Sequence, residues 1–375
     1  MEAYQNNGGI LLTNAMKKRD PGIDLLRVIS MGLIVLHHLL LHGGMTSSFS
    51  LFSPSGLLIN LFNAATRCAV NVYALISGYV MVKARFRPSR LIGLWIQVVF
   101  YGVLAALWLP LMGGNWHLQH FVDAVTPVSH DQYWYFTCYF AVFCLSPFLN
   151  LLLHAMSKRQ SGTLLMTFFV LLSLLPALML EGRFQLSGGY HPAWLLVMYL
   201  FGGVMRIHGV PGFGGRLKAC AAIAGCVLLS WGFRLAALTM NAPELEEHLL
   251  QYAAPTTLIC SIAVFLLFVC QKLPGWLSKA AFALSPLTFG VYLIHDNPLI
   301  REHLIKMQLT GLAGMNAGRM LGGLFACWAG VYGLCLLVEW LRTKLFAALK
   351  VSALCEKIEK KLFIWANRVF PEADA

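Results

Sequence analysis

An arginine and a histidine stand eleven residues apart in the stretch GIDLLRVISMGLIVLHH, at Arg27 and His38. On an α-helix that interval is about three turns, so the two side chains share a face and lie roughly 16 Å apart along the axis. A fixed cation at one end and an imidazole deeper in suits chemistry that holds an anionic group and moves a proton near neutral pH. The plainer alternatives are an arginine that snorkels to an interface and a satisfied core histidine. Their pairing on one apolar helix favours function. His37 points about 100° away and reads as structural.

A second polar face occurs in NLFNAATRCAVNVYALISGYV, where Asn60, Asn63, Arg67, Asn71, Ala74 and Gly78 recur at helical spacing. Arg67 cannot shed its proton, so in an apolar helix it must meet a counter-charge, a carbonyl cluster, a water-filled cavity or a ligand. Ser77 and Gly78 are small enough to let a ligand or another helix approach the backbone closely. A third cluster closes the segment SPLTFGVYLIHDNP, with Tyr292, His295, Asp296 and Asn297 before Pro298. Tyr292 and His295 are neighbours on one helix surface, though an aromatic belt residue and an interfacial histidine would look the same.

Other signals are weaker. The ten cysteines show neither a disulfide framework nor zinc spacing and read as small packing residues, and no metal is expected. The loop GVPGFGG at 209–215 lacks the Lys-Ser/Thr of a phosphate loop. Glu339 reads as an internal partner for Arg67 or Arg234, or as a shallow interfacial residue. Asp123, Asp131, Glu181, Glu244, Glu246, Glu247 and Glu302 read as a solvated acidic surface.

The elements that must carry these residues follow from composition. Of 375 residues 58% are hydrophobic and 12% charged, with a mean hydropathy of +0.68; soluble domains run near 25% charged. The chain therefore reads as an all-α, polytopic membrane bundle whose solvent is the lipid bilayer. A bilayer core takes about 20 apolar residues per helix. Ten such runs emerge, at 23–43, 56–82, 90–111, 132–153, 162–180, 191–207, 217–239, 254–271, 278–299 and 318–341. The first is too long and too polar for a cleaved signal peptide and reads as a retained span. Residues 1–22 form an N-terminal segment, 23–345 the membrane domain, and 346–375 an amphipathic tail of interfacial pattern.

Orientation comes from the loops. On one side lie Lys17, Lys18, Arg19, Lys83, Arg85, Arg87, Arg90, Lys158, Arg159, Arg206, Arg216, Lys218, Lys272, Lys279, Arg342, Lys344 and five basic residues of the tail, 21 in all. The other side holds four: Arg183, Arg301, Lys306 and Arg319. Both termini are thus expected in the cytoplasm. The same spread over six segments explains the net charge of +12 without a nucleic-acid-binding face.

Taken together, Arg27 and His38 in the first span and RCAVNVYALISGYV in the second resemble the acyltransferase-3 family of membrane acyltransferases. WYFTCYFAVFCLSPFL from Trp134 and GVYLIH from Gly290 are similar to its fourth-span and late motifs, in matching order. Tyr73-Ala74 stands where the family usually has two phenylalanines, and Asn71 where many members carry Asp or Pro. The resemblance implies transfer of an acyl group, usually acetyl from cytoplasmic acetyl-CoA, to a hydroxyl of a cell-envelope polysaccharide or its lipid-linked precursor, in a bacterial cytoplasmic membrane. On that basis His38 is the expected general base or acyl carrier, with Arg67 and Arg27 stabilising the oxyanion. Arg27, Arg87, Arg90, Ser77 and Gly78 are expected to bind the donor, and Asn71, Tyr292, His295 and Trp134 the acceptor. The competing class is a secondary transporter or flippase for a glycan, in which Arg67, His38 and Asp296 would line a path; no repeat of five spans supports it. Arg27, His38 and Arg67 are expected to converge on one cavity.

Overall fold

In the computed structural model, residues 19–179, 184–209 and 215–369 are described, and among them every regular element is helical. Lys17, Lys18, Glu181, Arg183 and most of the glycine-rich loop lie outside these residues. Eight helices are long and apolar enough to cross a membrane. They coincide with eight of the ten predicted spans. The other two appear as α7 (Pro192–His208), which is one turn shorter than a typical span, and as the consecutive pair α2 (Pro54–Thr66) and α3 (Cys68–Met81). These two join at Arg67, whose dihedrals remain helical at φ −58° and ψ −34°.

Local chemistry sets where the helices begin. In α1 (Pro21–His42) the Asp20 carboxylate accepts from the backbone N–H of Gly22 at 2.9 Å and Ile23 at 3.3 Å, and Pro21 supplies a preset φ at the first position. Ser53 and Pro54 start α2 in the same way. Fourteen of the 22 residues of α1 are buried, against four of the 32 in α12 (Ala317–Ala348), so α1 runs through the centre and α12 along the lipid-facing rim. The remaining helices used below are α4 (Pro88–Trp108), α5 (Trp134–Ala155), α6 (Lys158–Phe169), α8 (Arg216–Thr239), α9 (Pro255–Phe268), α10 (Gly275–Leu284), α11 (Thr288–His295) and the tail helix α13 (Val351–Val369).

Glycine permits the closest crossing. A Cβ on Gly78 would sit 2.0 Å from the Tyr199 carbonyl oxygen, and one on Gly202 would sit 2.1 Å from that of Leu75. The backbones of α3 and α7 therefore touch, the small-residue packing of membrane helices. Gly78 serves this contact. The buried carboxylate of Glu339 is likewise committed elsewhere than to Arg67 or Arg234. It takes two bonds from Arg342 at 2.6 and 2.9 Å, with Gln97 at 3.1 Å and Tyr101 at 2.6 Å. These partners joined α4 to α12 because they supply enough donors to offset burying a charge.

Candidate active site

His38 sits one turn inside the end of α1 and is 8% exposed. Its Nδ1 lies 3.0 Å from Nε2 of His295, the last residue of α11. The His295 Nδ1 lies 2.6 Å from the carbonyl of Val291 and must carry a hydrogen, since a carbonyl only accepts. A neutral His295 then presents a lone pair at Nε2, so Nδ1 of His38 is the donor. This network assigns the lone pair of His38 to its Nε2, which makes no hydrogen bond among the described residues. Asp296 places Oδ1 3.6 Å from His38 Nδ1, where it offsets positive charge on the imidazole, and takes a 2.9 Å hydrogen bond from Arg301.

The segment His295-Asp296-Asn297 is held rigidly. Asn297 is fully buried, donates to the Tyr133 hydroxyl at 2.7 Å and caps the next turn through Leu299 N–H. Tyr133 donates in turn to the Leu293 carbonyl at 2.8 Å. His38, His42 and Asp296 also bring three ligand atoms within 4.8 Å of one another, as a metal site would. His38 Nδ1 and Asp296 Oδ1, 3.6 Å apart, also face His295 and Arg301.

Three chambers lead from one face of the bundle to His38. The outermost, about 740 Å³, is lined by Arg27, Arg87, Arg90 and Arg342 together with Ser89, Gln97 and Glu356. The second, about 180 Å³, is bounded by Arg27, Ser77, Tyr139, Ser285 and Thr288 and shares Arg27, Leu94 and Tyr139 with the first. The third, about 20 Å³, holds His38 among Met31, Val70, Trp134 and Tyr292. Tyr73, Tyr135 and Phe289 wall both the second and third. Tyr73 is held by a 2.5 Å hydrogen bond to Thr288. Arg27 meets Asp24 at 3.4 Å, and Asp24 is also bound by Arg19 and Ser285, an anchoring carboxylate that the residue spacing did not single out.

Two hydroxyls in the innermost chamber stand out. Those of Tyr135 and Tyr292 are buried without a hydrogen-bond partner among the described residues, although their rings are packed edge to face at 6.0 Å. Buried hydroxyls are rarely left unpaired. Both can donate into the space beside His38.

The expected site residues thus divide. Arg27, Arg87, Arg90 and Ser77 line the outer two chambers, and His38, Tyr292 and Trp134 the inner one. His295 backs His38 in place of facing a ligand. Asn71 is occupied on both amide atoms, donating to the Tyr252 carbonyl at 2.8 Å and accepting from Trp194 at 3.0 Å, so it braces the fold. Arg67 lines none of the three chambers, and the expected convergence of Arg27, His38 and Arg67 does not occur. A counter-charge reaches it first. The loop before α9 folds inward and brings Glu247 onto Arg67 and Arg234, so that this carboxylate is not part of a merely solvated surface. Arg342 and Tyr135 were missed as site residues. Arg342 is one of many basic residues at a span end, and Tyr135 one of many aromatics; only the Glu339 to Arg342 spacing of three hinted at a buried pair.

A family model described as an acyltransferase domain matches residues 20–339. No curated protein and no solved structure matches the chain.

Proposed function

The chain belongs to the acyltransferase-3 family, and from that premise we propose that it moves an acetyl group from acetyl-CoA to a hydroxyl of a cell-envelope polysaccharide or its lipid-linked precursor. The observation that carries this reading is the line of chambers from four guanidiniums to the unpaired Nε2 of His38. The basic vestibule suits the phosphates of the donor, because guanidinium forks match phosphate oxygens in pairs. Among the described residues Arg90 makes no ion pair, which leaves its fork open. The 16 Å or so between Arg27 and His38 along α1 gives a thin, flexible thioester arm a path to the imidazole.

In this reading His38 Nε2 takes the proton of the acceptor hydroxyl as its oxygen attacks the thioester carbonyl. His295 holds the ring in the tautomer that leaves Nε2 free, and Asp296 offsets the imidazolium while it lasts. Tyr135 and Tyr292 donate to the oxyanion. The bond to sulfur then breaks, and the proton on His38 passes to the departing thiolate. Tyr73, Tyr135 and Phe289 stand between the second chamber and the third, so the thioester arm passes among them to reach His38. Transfer of the acyl group to His38 itself, then to the acceptor, uses the same free Nε2.

The decisive experiment supplies radiolabelled acetyl-CoA and envelope glycan to purified protein in proteoliposomes. Label on the glycan supports the enzyme; glycan or ion flux without consumption of acetyl-CoA favours a transporter. Arg27→Lys and Arg90→Lys should raise KM for acetyl-CoA with kcat little changed, because lysine keeps the charge and loses the planar fork. Loss of kcat alone would remove these residues from donor binding.

We place the vestibule on the cytoplasmic side of a bacterial cytoplasmic membrane, with both termini inside, from the loop charge bias. Single cysteines introduced into a cysteine-depleted background should then be labelled by a membrane-impermeant maleimide from outside at 240–254 and not at 83–90. Labelling of 83–90 from outside would invert the topology.

A further inference from the structure

At the opposite end from the vestibule, the bundle holds a charged constellation that the transfer chemistry above does not use. Arg67 and Arg234 are 6% and 5% exposed, and both close on one carboxylate, that of Glu247, whose side chain is 46% exposed. Among the described residues no second carboxylate lies within 4.0 Å of either guanidinium. Arginine stays charged, so this buried group carries a surplus positive charge in an apolar surrounding, an arrangement that a further anion would stabilise.

Unmet hydrogen-bonding capacity surrounds the pair. Arg67 Nε, both amide atoms of Asn63 and Nε2 of His37 are buried without partners among the described residues. Asn63 and Arg67 are one turn apart on the same helix face, and His37 reaches that helix through Thr66 at 3.3 Å. Arg234 is oriented by Asn60, which accepts from its Nε at 2.8 Å. The constellation lies at the depth of the reacting imidazole: the rings of His37 and His38 are 5.9 Å apart, and Val70, one turn beyond Arg67, walls the chamber of His38. Trp134 of that wall stacks on Tyr252, five residues after Glu247.

We propose that this is an acceptor subsite for a sugar that carries an oxyanion, a carboxylate or a phosphate, and that Glu247 holds the two guanidiniums until that anion displaces it. The proposal rests on the acyltransferase reading, which requires a glycan hydroxyl to reach His38. Two arginine forks bind such an oxyanion in pairs of hydrogen bonds, while Asn63, a donor and an acceptor, and His37 Nε2 serve ring hydroxyls. A neutral sugar leaves the surplus charge unmatched and is disfavoured for that reason.

The test uses the full chain in detergent with a glucuronate-terminated oligosaccharide and its carboxyl-reduced, glucose-terminated counterpart, with affinities from isothermal titration. Wild type should prefer the acid by about tenfold or more, as expected for a charge-assisted, bidentate contact. Arg234→Gln leaves Arg67 and Glu247 as a balanced pair and should abolish the preference, whereas Glu247→Gln frees both guanidiniums and should strengthen it. A purely structural latch would weaken binding of both sugars in both variants. Thermal melting checks that the variants fold, and the wild-type and Arg234→Gln comparison decides the matter even if Glu247→Gln does not fold. Equal affinity for the two sugars in wild type, or shifts of the same sign in the two variants, overturns the proposal. Vesicles of phosphatidylglycerol or phosphatidylcholine separate the sources of the oxyanion: binding of phosphatidylglycerol with no preference between the sugars assigns the subsite to a lipid headgroup and overturns the glycan. Selective binding of the acid with no acetyl transfer to either sugar would sink the acyltransferase reading and leave the subsite standing; acetyl transfer to both with equal KM would do the reverse.

Discussion

Replacing His38 with alanine should leave a folded, membrane-inserted protein whose acetyl transfer is slower by about 10²- to 10⁴-fold, the usual loss on removing a general base. The imidazole contributes one hydrogen bond, to His295, and lines a small chamber. Its removal therefore costs little beside the packing of the bundle. Chemistry has no substitute for it: the lone pair at Nε2 is the one left free, because the Nδ1 side is committed to the pair of His295 and Asp296. If the acyl group travels on His38 the loss should be greater still, and labelled acetyl-CoA should leave acid-labile label on wild type but not on the variant. His154→Ala is the control, since that exposed imidazole bonds the Asn150 carbonyl of its own helix. Equal losses in the two variants, or near-normal turnover without His38, would remove His38 from the reaction.

Tyr135→Phe and Tyr292→Phe should separate activity from stability in an unusual direction. Each variant deletes a buried hydroxyl that has no partner among the described residues, so folding should be unchanged or improved by about 1 kcal/mol as an unsatisfied group is removed. If the hydroxyls donate to the oxyanion, kcat should nevertheless fall by about 10²- to 10³-fold in each, or ~2.7–4 kcal/mol of transition-state stabilisation, with KM for acetyl-CoA nearly constant. The double variant should lose less than the product of the single losses, because the two donors would serve one oxygen. Thermal melts together with initial rates decide between the roles. Lower melting temperatures with proportionate loss of activity would mean that the hydroxyls meet partners in the folded enzyme and serve packing.

Much of the architecture was legible before any coordinates. An apolar run of some twenty residues has few alternatives to a helix in a bilayer, where each backbone group must bond within its own segment. That constraint located the ten runs, including the one interrupted at Arg67. Helical periodicity also placed Arg27 and His38 on one side of α1, and the cost of burying charge made them candidates. Because such rules act within one helix, they apply to a sequence read alone.

What stood opposite each residue could be settled only by the tertiary structure. Arg67 needed a counter-charge, but its identity depended on a loop 180 positions later folding back to deliver Glu247. Glu339, readable as a partner for Arg67 or Arg234 or as a shallow interfacial residue, closes instead on Arg342, three residues along its own helix, with donors from α4. The same holds for the free nitrogen of His38: it follows from a contact with His295, 257 positions away, and from a carbonyl on α11 that sets the tautomer of His295. Periodicity determines which face of a helix a side chain occupies. Partner, tautomer and cavity depend on how helices pack against one another, and packing is set by the shapes of side chains distant in sequence.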